Sequence, residues 1–320
     1  MIALVTGASR GIGKAIALEL AACGYDLALA GRDATALAAT AAEVGRTADA
    51  PAATCTTAAP AAVCATAAET PAVVCATAAE TPAVARTTAA PAAACTAADR
   101  TPTTAAETPA VAEAQCAAPA AAEPAVAAAP AATIRTVCIA ADLEDPASYE
   151  KVVAETVEAL GGIDVLVNCA GLSQAGSFTE VTPEQWDTIF AVNAKAPFFI
   201  SKAALPYLKQ SQKPIVINIA SVVGFKGYIN QSVYSSSKHA LTGFTKVFAK
   251  EVQPFGIRVH LISPGGVATE MVKKMRPDIN PDELIQPEEV AEIVRFIVTK
   301  KGAGTIDQFY LRRYTSLAFD

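Results

Sequence analysis

Short apolar strands alternate with helical stretches along most of this chain, and that alternation limits the fold more than any other feature. "IALVT" at Ile2–Thr6 is apolar almost throughout, as a strand covered on both faces must be. Residues Lys14–Cys23 then follow helical spacing, with Ile16, Ala17, Leu20 and Ala21 on one face, and Gly24 stops the run. "DLALAG" reads as a second strand and Ala34–Val44 as a second helix. Later come a third strand in "IRTVCIAADL", a helix over Pro146–Leu160 and a fourth strand in "IDVLVNCAG". A long helical stretch follows, with Thr182 as N-cap, Pro183 at the first helical position and Gln185 completing a capping box. "PIVINIAS", the helix Val233–Val252, "IRVHLISPG", the helix Pro287–Val298 and a closing strand in "IDQFYLRR" complete the pattern. Strands separated by helices are joined by crossovers, so they lie parallel. The expected fold class is α/β, a doubly wound parallel sheet with helices on both faces.

One segment breaks the pattern. From Thr47 to Ala132 there is no Leu, Ile, Met, Phe, Tyr or Trp, and the phrase VCATAAETPAV occurs twice in tandem from Val63 to Val84. Prolines recur at 51, 60, 71, 82, 91, 102, 109, 119, 124 and 130, too closely for an isolated helix to persist between them. So little apolar surface cannot offset the entropy of ordering the segment. Residues 47–132 are therefore expected to form a disordered low-complexity insertion, with 1–46 and 133–320 making one Rossmann-type domain. Helical repeat arrays have longer periods and large apolar residues at fixed places, and neither is present.

Charge and cysteine usage exclude several classes. The net charge of −6 leaves no basic footprint for nucleic acid. No run of bulky apolar residues is long enough to span a membrane, and the start of the chain has no signal-peptide pattern. The eight cysteines form no C-x-x-C pair and no cluster with histidine, as free thiols in a reducing compartment would be. A cytoplasmic protein without a metal is expected.

The first strand-to-helix turn carries chemistry. Gly7, Gly11 and Gly13, with Ser9, Arg10 and Ile12 between them, allow a close backbone approach to a pyrophosphate, and the helix N-terminus adds unpaired N–H groups. The second strand ends in Gly31-Arg32, where an NAD site would present a carboxylate. Arg32 can pair with a 2′-phosphate, and Arg10 adds a second cation, so the cofactor is read as NADP(H). Asp33 should point away from Arg32. Tyr234 and Lys238 lie one helical turn apart, and an ammonium beside a phenol lowers its pKa. His239 and His260 have no triad partners and are read as structural.

TGxxxGxG at Thr6–Gly13, "NCAG" at Asn168–Gly171, Asn193 in "VNAKAPF", Ser221, "YSSSK" at Tyr234–Lys238 and "SPGGVATEM" from Ser263 stand in one order. Together they resemble the short-chain dehydrogenase/reductase family, over everything outside the insertion. The resemblance implies reduction of a ketone or aldehyde, with Asn193, Ser221, Tyr234 and Lys238 as the catalytic set. It makes Tyr234 the proton donor, Ser221 a partner of the substrate oxygen, and Asn193 the holder of a relay water. Lys238 also binds the nicotinamide ribose. It places Asp142 and Leu143 at the adenine, and adds Asn168, Ala170, Gly171, Pro264, Gly265, Val267 and Thr269 to the cofactor site. It further implies a small-molecule carbonyl or alcohol substrate, foremost a 3-oxoacyl thioester, and a homotetramer formed through the helices bearing Asn193 and Tyr234. The competing reading is a non-catalytic NADP-binding sensor or scaffold. Two departures stand out: Cys169 replaces an Asn, and the tail "GTIDQFYLRRYTSLAFD" lacks the common V-D-G-G element.

Overall fold

The computed structural model describes residues 1–49, 133–173, 175–275 and 278–318. The expected disorder of the insertion thus concerns residues outside the described ones, apart from a helix that runs into its start. The elements are β1 (Ile2–Thr6), α1 (Gly11–Ala22), β2 (Asp26–Gly31), α2 (Ala34–Asp49), β3 (Thr136–Ala140), α3 (Ala147–Leu160) and β4 (Val165–Asn168). Then follow α4 (Pro183–Phe190), α5 (Ala196–Leu208), β5 (Ile215–Ile219), α6 (Ser232–Val252), β6 (Arg258–Pro264), α7 (Glu270–Met275), α8 (Pro287–Thr299) and β7 (Gln308–Leu311). Among the described residues the strands form one sheet in the order β3-β2-β1-β4-β5-β6-β7, with every pairing parallel. The doubly wound α/β expectation holds.

The inner strands β1, β2, β4 and β5 are largely apolar on both faces because both faces are covered. Ala3 and Val5 of β1 share one core with Leu27, Leu29, Val165 and Val167, beneath Ile16 and Leu20 of α1 and Val290 and Val294 of α8. Leu4, between them in sequence, points the other way, into a second core with Leu166, Val216, Val152, Ile200 and Leu208. The period-2 alternation thus sorts residues between two buried layers rather than between core and water. Fully burying one such Leu or Val contributes about 1.5–3 kcal/mol.

Two neighbours of β1 set the position of the cleft. β2 and β4 lie on opposite sides of β1, and the chain winds outward in both directions from that point. Loops leaving β1 and β4 at their C-terminal ends diverge there, which opens a crevice. The boundaries of the insertion lie at the other end of the strands. Arg135 enters β3 at its N-terminal edge, where its backbone N–H and its guanidinium bind Asp26 at the start of β2, at 2.8 and 2.6 Å.

The stretch expected as one helix from Pro183 is two. Thr182 caps it as read, with Gln185 N donating to its Oγ1 at 3.3 Å and Gln185 Oε1 accepting from its N–H at 3.0 Å. A π-helical turn, Ala191–Lys195, then separates α4 from α5. The sequence explains the break. Pro197 has no N–H, so the Asn193 carbonyl loses its α-helical partner and the ladder shifts. α7 is an addition: it begins at the end of "SPGGVATEM", in a charged stretch where the alternating pattern places no element.

Candidate active site

The glycine turn closes β1 against β4. Thr6 Oγ1 accepts the backbone N–H groups of Cys169 and Ala170 at 3.1 and 3.2 Å and donates to Val167 O at 3.4 Å. Gly7 has φ +72°, and a Cβ there would stand 2.8 Å from Ala170 Cα. A Cβ on Gly13 would stand 2.2 Å from Gly7 O. These two glycines therefore let the turn, the β4 loop and α1 pack together. Gly11, at φ +55°, faces only the Thr269 side chain. Arg10 occupies the N-cap of α1 and makes no side-chain cap, so the first N–H groups are offered to the cleft.

At the ends of β2 and β3, Arg32 Nη1 lies 3.1 Å from Glu144 Oε1, and both side chains are well exposed. Asp142 Oδ1 accepts the Glu144 N–H at 3.1 Å, and Leu143 beside it is buried. Asp33 Oδ1 accepts the Ala36 N–H at 3.0 Å, so it serves the first turn of α2 and not Arg32.

Of the four residues named for catalysis, Tyr234 and Lys238 lie on α6, Ser221 lies just beyond β5, and Asn193 lies in the π-helical turn Ala191–Lys195. Ser221 lies two residues beyond β5, as the N-cap of the turn Val222–Gly224, and its Oγ donates to Pro264 O at 3.4 Å. The Tyr234 hydroxyl meets the Ser221 side chain. Lys238 is buried, its Nζ donating to Ile219 O at 3.1 Å and standing 6.0 Å from the Tyr234 ring centre. Asn193 is fully buried and ties the cleft floor together. Its Oδ1 accepts from Leu172 N and its Nδ2 donates to Leu172 O, both at 2.8 Å, and Nδ2 also donates to Ser237 Oγ at 3.0 Å. Gly171 leaves space between these groups: a Cβ there would lie 3.5 Å from both Asn193 Oδ1 and Lys238 Nζ.

The electrostatics differ from the simple lysine-beside-phenol expectation. Burial raises the Tyr234 pKa above that of a free phenol, and the Ser221 hydrogen bond opposes this only in part. Burial lowers Lys238 to about 8, so near that pH much of it carries no charge to assist the phenolate. Cys169 stands near Lys238, but burial pushes its thiol up to about 12, out of the range of reactive thiolates.

The glycine-turn residues Gly7, Ser9, Arg10, Gly11, Ile12 and Gly13 line one cleft of about 960 Å³ with Arg32, Asp142, Leu143, Ala170, Gly171, Tyr234, Lys238 and Thr269. Four other expected cofactor residues lie elsewhere. Asn168 is buried, its Nδ2 donating to Ser201 Oγ at 3.1 Å and Asn218 Oδ1 at 2.8 Å, so it fixes β4 to its neighbours behind the cleft. Pro264 ends β6 and Val267 is buried in the core. Gly265 lines an adjoining smaller pocket that also reaches Ser221 and Tyr234. Lys14 and Glu43, paired at 2.6 Å, line the large cleft and carry no motif that marks them. His239 is exposed, and His260 Nδ1 lies 2.7 Å from Ile306 O between strands.

The family model for short chain dehydrogenases matches residues 1–78 and 103–280. The 3-oxoacyl-(acyl-carrier-protein) reductase FabG of Thermotoga maritima is 31% identical over 175 residues, 52% of this chain and 71% of that protein. The acetoacetyl-CoA reductase of an Acinetobacter species is 32% identical over 173 residues, 52% of this chain and 70% of that protein. An alcohol dehydrogenase from Thermococcus sibiricus, solved with 5-hydroxy-NADP, superposes with a TM-score of 0.67 at 21% identity, over 99% of this chain and 98% of that one. That last likeness speaks for the fold. With most of its length matched by the family model, the chain belongs to the short-chain dehydrogenase family.

Proposed function

We propose that this protein is an NADPH-dependent reductase that converts a ketone or aldehyde to an alcohol. The observation that carries the reading is that Tyr234 and Lys238 share one cleft with the glycine turn, with Ser221 against the Tyr234 hydroxyl and buried Asn193 across Gly171 from Lys238. The donor set fits a dinucleotide phosphate. The uncapped start of α1 offers N–H groups to a pyrophosphate, Arg10 and Arg32 stand where a 2′-phosphate would need cations, and Gly171 leaves room between Asn193 and Lys238. When bound, NADPH supplies the hydride that the carbonyl carbon receives.

The chain's own residues then handle the proton. Ser221 Oγ holds the carbonyl oxygen and steadies its developing charge. Tyr234, whose raised pKa keeps its hydroxyl protonated at neutral pH, gives that proton to the oxygen. Charged Lys238 stabilises the phenolate left behind. Asn193 holds the loop at Leu172 against α6 and, in this reading, is the residue that holds the relay water.

The names of the two curated relatives favour a 3-oxoacyl thioester as substrate. Exposed Trp186 on α4 and Phe198 and Phe199 on α5 support assembly as a homotetramer through that helical face. No helix of the described residues is long and apolar enough to cross a membrane. The direct test is NADPH consumption, followed by absorbance, against 3-oxoacyl thioesters, quinones, sugars and steroid ketones, with NADH in parallel. Turnover of a carbonyl with preference for NADPH is expected. Tight NADPH binding with no consumption across the panel would instead mean a sensor.

A further inference from the structure

The smaller pocket at Ser221 and Tyr234 is closed on one side by the segment in which this chain departs from its family. After β7 the tail turns back over the catalytic wall. Gly265 N donates to Leu311 O at 2.7 Å, and Thr315 Oγ1 donates to Glu283 Oε2 at 2.9 Å. These bonds bring Tyr310, Arg312, Arg313 and Leu317 to one side of a space of about 150 Å³, facing Met271 and Val272 of α7. The tail is therefore part of the wall beside the reacting groups.

The charge of that wall is one-sided. Lys226, Arg312 and Arg313 line the pocket, and none of its described lining residues is Asp or Glu, in a chain of net charge −6. The neighbouring large cleft mixes both signs, with Glu43, Glu270 and Glu288 beside Lys14 and Lys274. Arg313 is engaged from outside by Glu283, at 3.5 Å. Lys226 stands 5.9 Å from the Tyr310 ring centre. Arg312 is different. It donates to Arg313 O, Tyr314 O and Ser316 O at 3.2, 3.1 and 2.7 Å, all through Nη1. Its Nε and Nη2 make no hydrogen bond or ion pair with the described residues. One edge of a guanidinium is thus fixed to the backbone, and a second edge remains for a ligand. That is the fork geometry that suits a carboxylate or phosphate.

We propose that Arg312, anchored on its own tail, binds an anionic oxygen group of the substrate, so that the enzyme selects carbonyl compounds carrying one. The inference rests on the reductase reading and adds the substrate's charge to it. The shared chemistry is an anion at the far side of the pocket from the carbonyl. It could be the carboxylate of a small 3-oxo acid or a phosphate on the carrier arm of a thioester.

The test compares kcat/KM of the full-length protein with NADPH for acetoacetate, acetoacetyl-CoA and the neutral methyl acetoacetate. It is repeated in Arg312→Gln and Arg312→Lys. The wild type is expected to prefer at least one anionic substrate to the ester by about tenfold or more, the scale of one charge-assisted hydrogen bond. Arg312→Gln should lose that preference with the ester rate nearly unchanged, and Arg312→Lys should keep most of it. Which anionic substrate suffers identifies the source of the charge. If both anionic substrates do no better than the ester, the inference fails while the reductase reading stands. If Arg312→Gln and Arg312→Lys depress all three substrates alike, Arg312 only holds the tail and the inference also fails. If the wild type turns over none of them, the 3-oxoacyl reductase reading fails and takes the inference with it.

Discussion

Lys238 is the residue whose environment most shapes the proposed chemistry. It is buried beside Ile219 O, and desolvation brings its pKa from the usual 10.5 to about 8. Below that value the ammonium is present to stabilise the phenolate formed when Tyr234 gives up its proton. Above it that help is lost. Reductive kcat/KM is therefore expected to fall as pH rises past about 8. In Lys238→Met the rate should be low and the limb near 8 gone, and an unchanged limb in a steady-state pH profile would exclude Lys238 as its source. Stability has the opposite slope. The unfolded lysine binds its proton up to about 10.5 and the folded one only to about 8, so stability rises with pH across that window. At this scale the sequence carried the identity of the groups but not their environment. Four-residue spacing brings Tyr234 and Lys238 together. Nothing in "YSSSK" reveals that burial raises the phenol, or that Asn168, within a family motif, turns into the core toward Ser201 and Asn218.

Elements are positioned by a few contacts that a larger side chain would break. Gly13 is the sharpest case, because a Cβ there would stand 2.2 Å from Gly7 O. Gly13→Ala must push α1 away from the glycine turn. A destabilisation of about 1–3 kcal/mol is expected, and NADPH affinity measured by fluorescence titration should fall at least tenfold. Unchanged affinity would mean that the turn does not hold the pyrophosphate. Helices and strands were legible from period and caps: Thr182 and Gln185 form the capping box their spacing predicts. The π-helical turn was not, because the pattern of apolar residues runs through it without interruption. Its cause, Pro197, is visible only when the partner of each backbone N–H is counted. α7 escaped because its run is short and charged, with Glu270 and Lys273 paired at 2.9 Å on its surface. The tail escaped for another reason. Its strand was read, but the return of Arg312 to the pocket depends on bonds to Gly265 and Glu283, far away in sequence.

At the scale of the whole molecule, the described chain re-enters the sheet after the insertion at the strand ends away from the chemistry. Arg135 leads into β3 at the N-terminal edge of the strands, whereas the glycine turn, Ser221 and the β4 loop all lie at C-terminal ends. Deleting residues 50–132 and joining α2 to β3 with a short linker is expected to leave kcat/KM within about threefold of the full chain. Long loops add little closure entropy, so the gain in stability should be small. A large loss of activity in a deletion variant with an unchanged circular dichroism spectrum would assign the insertion a part in catalysis. The central claim is that one tyrosine hydroxyl delivers the proton while the rest of the cleft holds the cofactor. Tyr234→Phe removes that hydroxyl and nothing else, so the decisive measurement is its turnover and its NADPH dissociation constant on the same preparation. The account predicts turnover lower by at least a thousandfold with affinity for NADPH within about threefold of the wild type. Turnover like that of the wild type would contradict it.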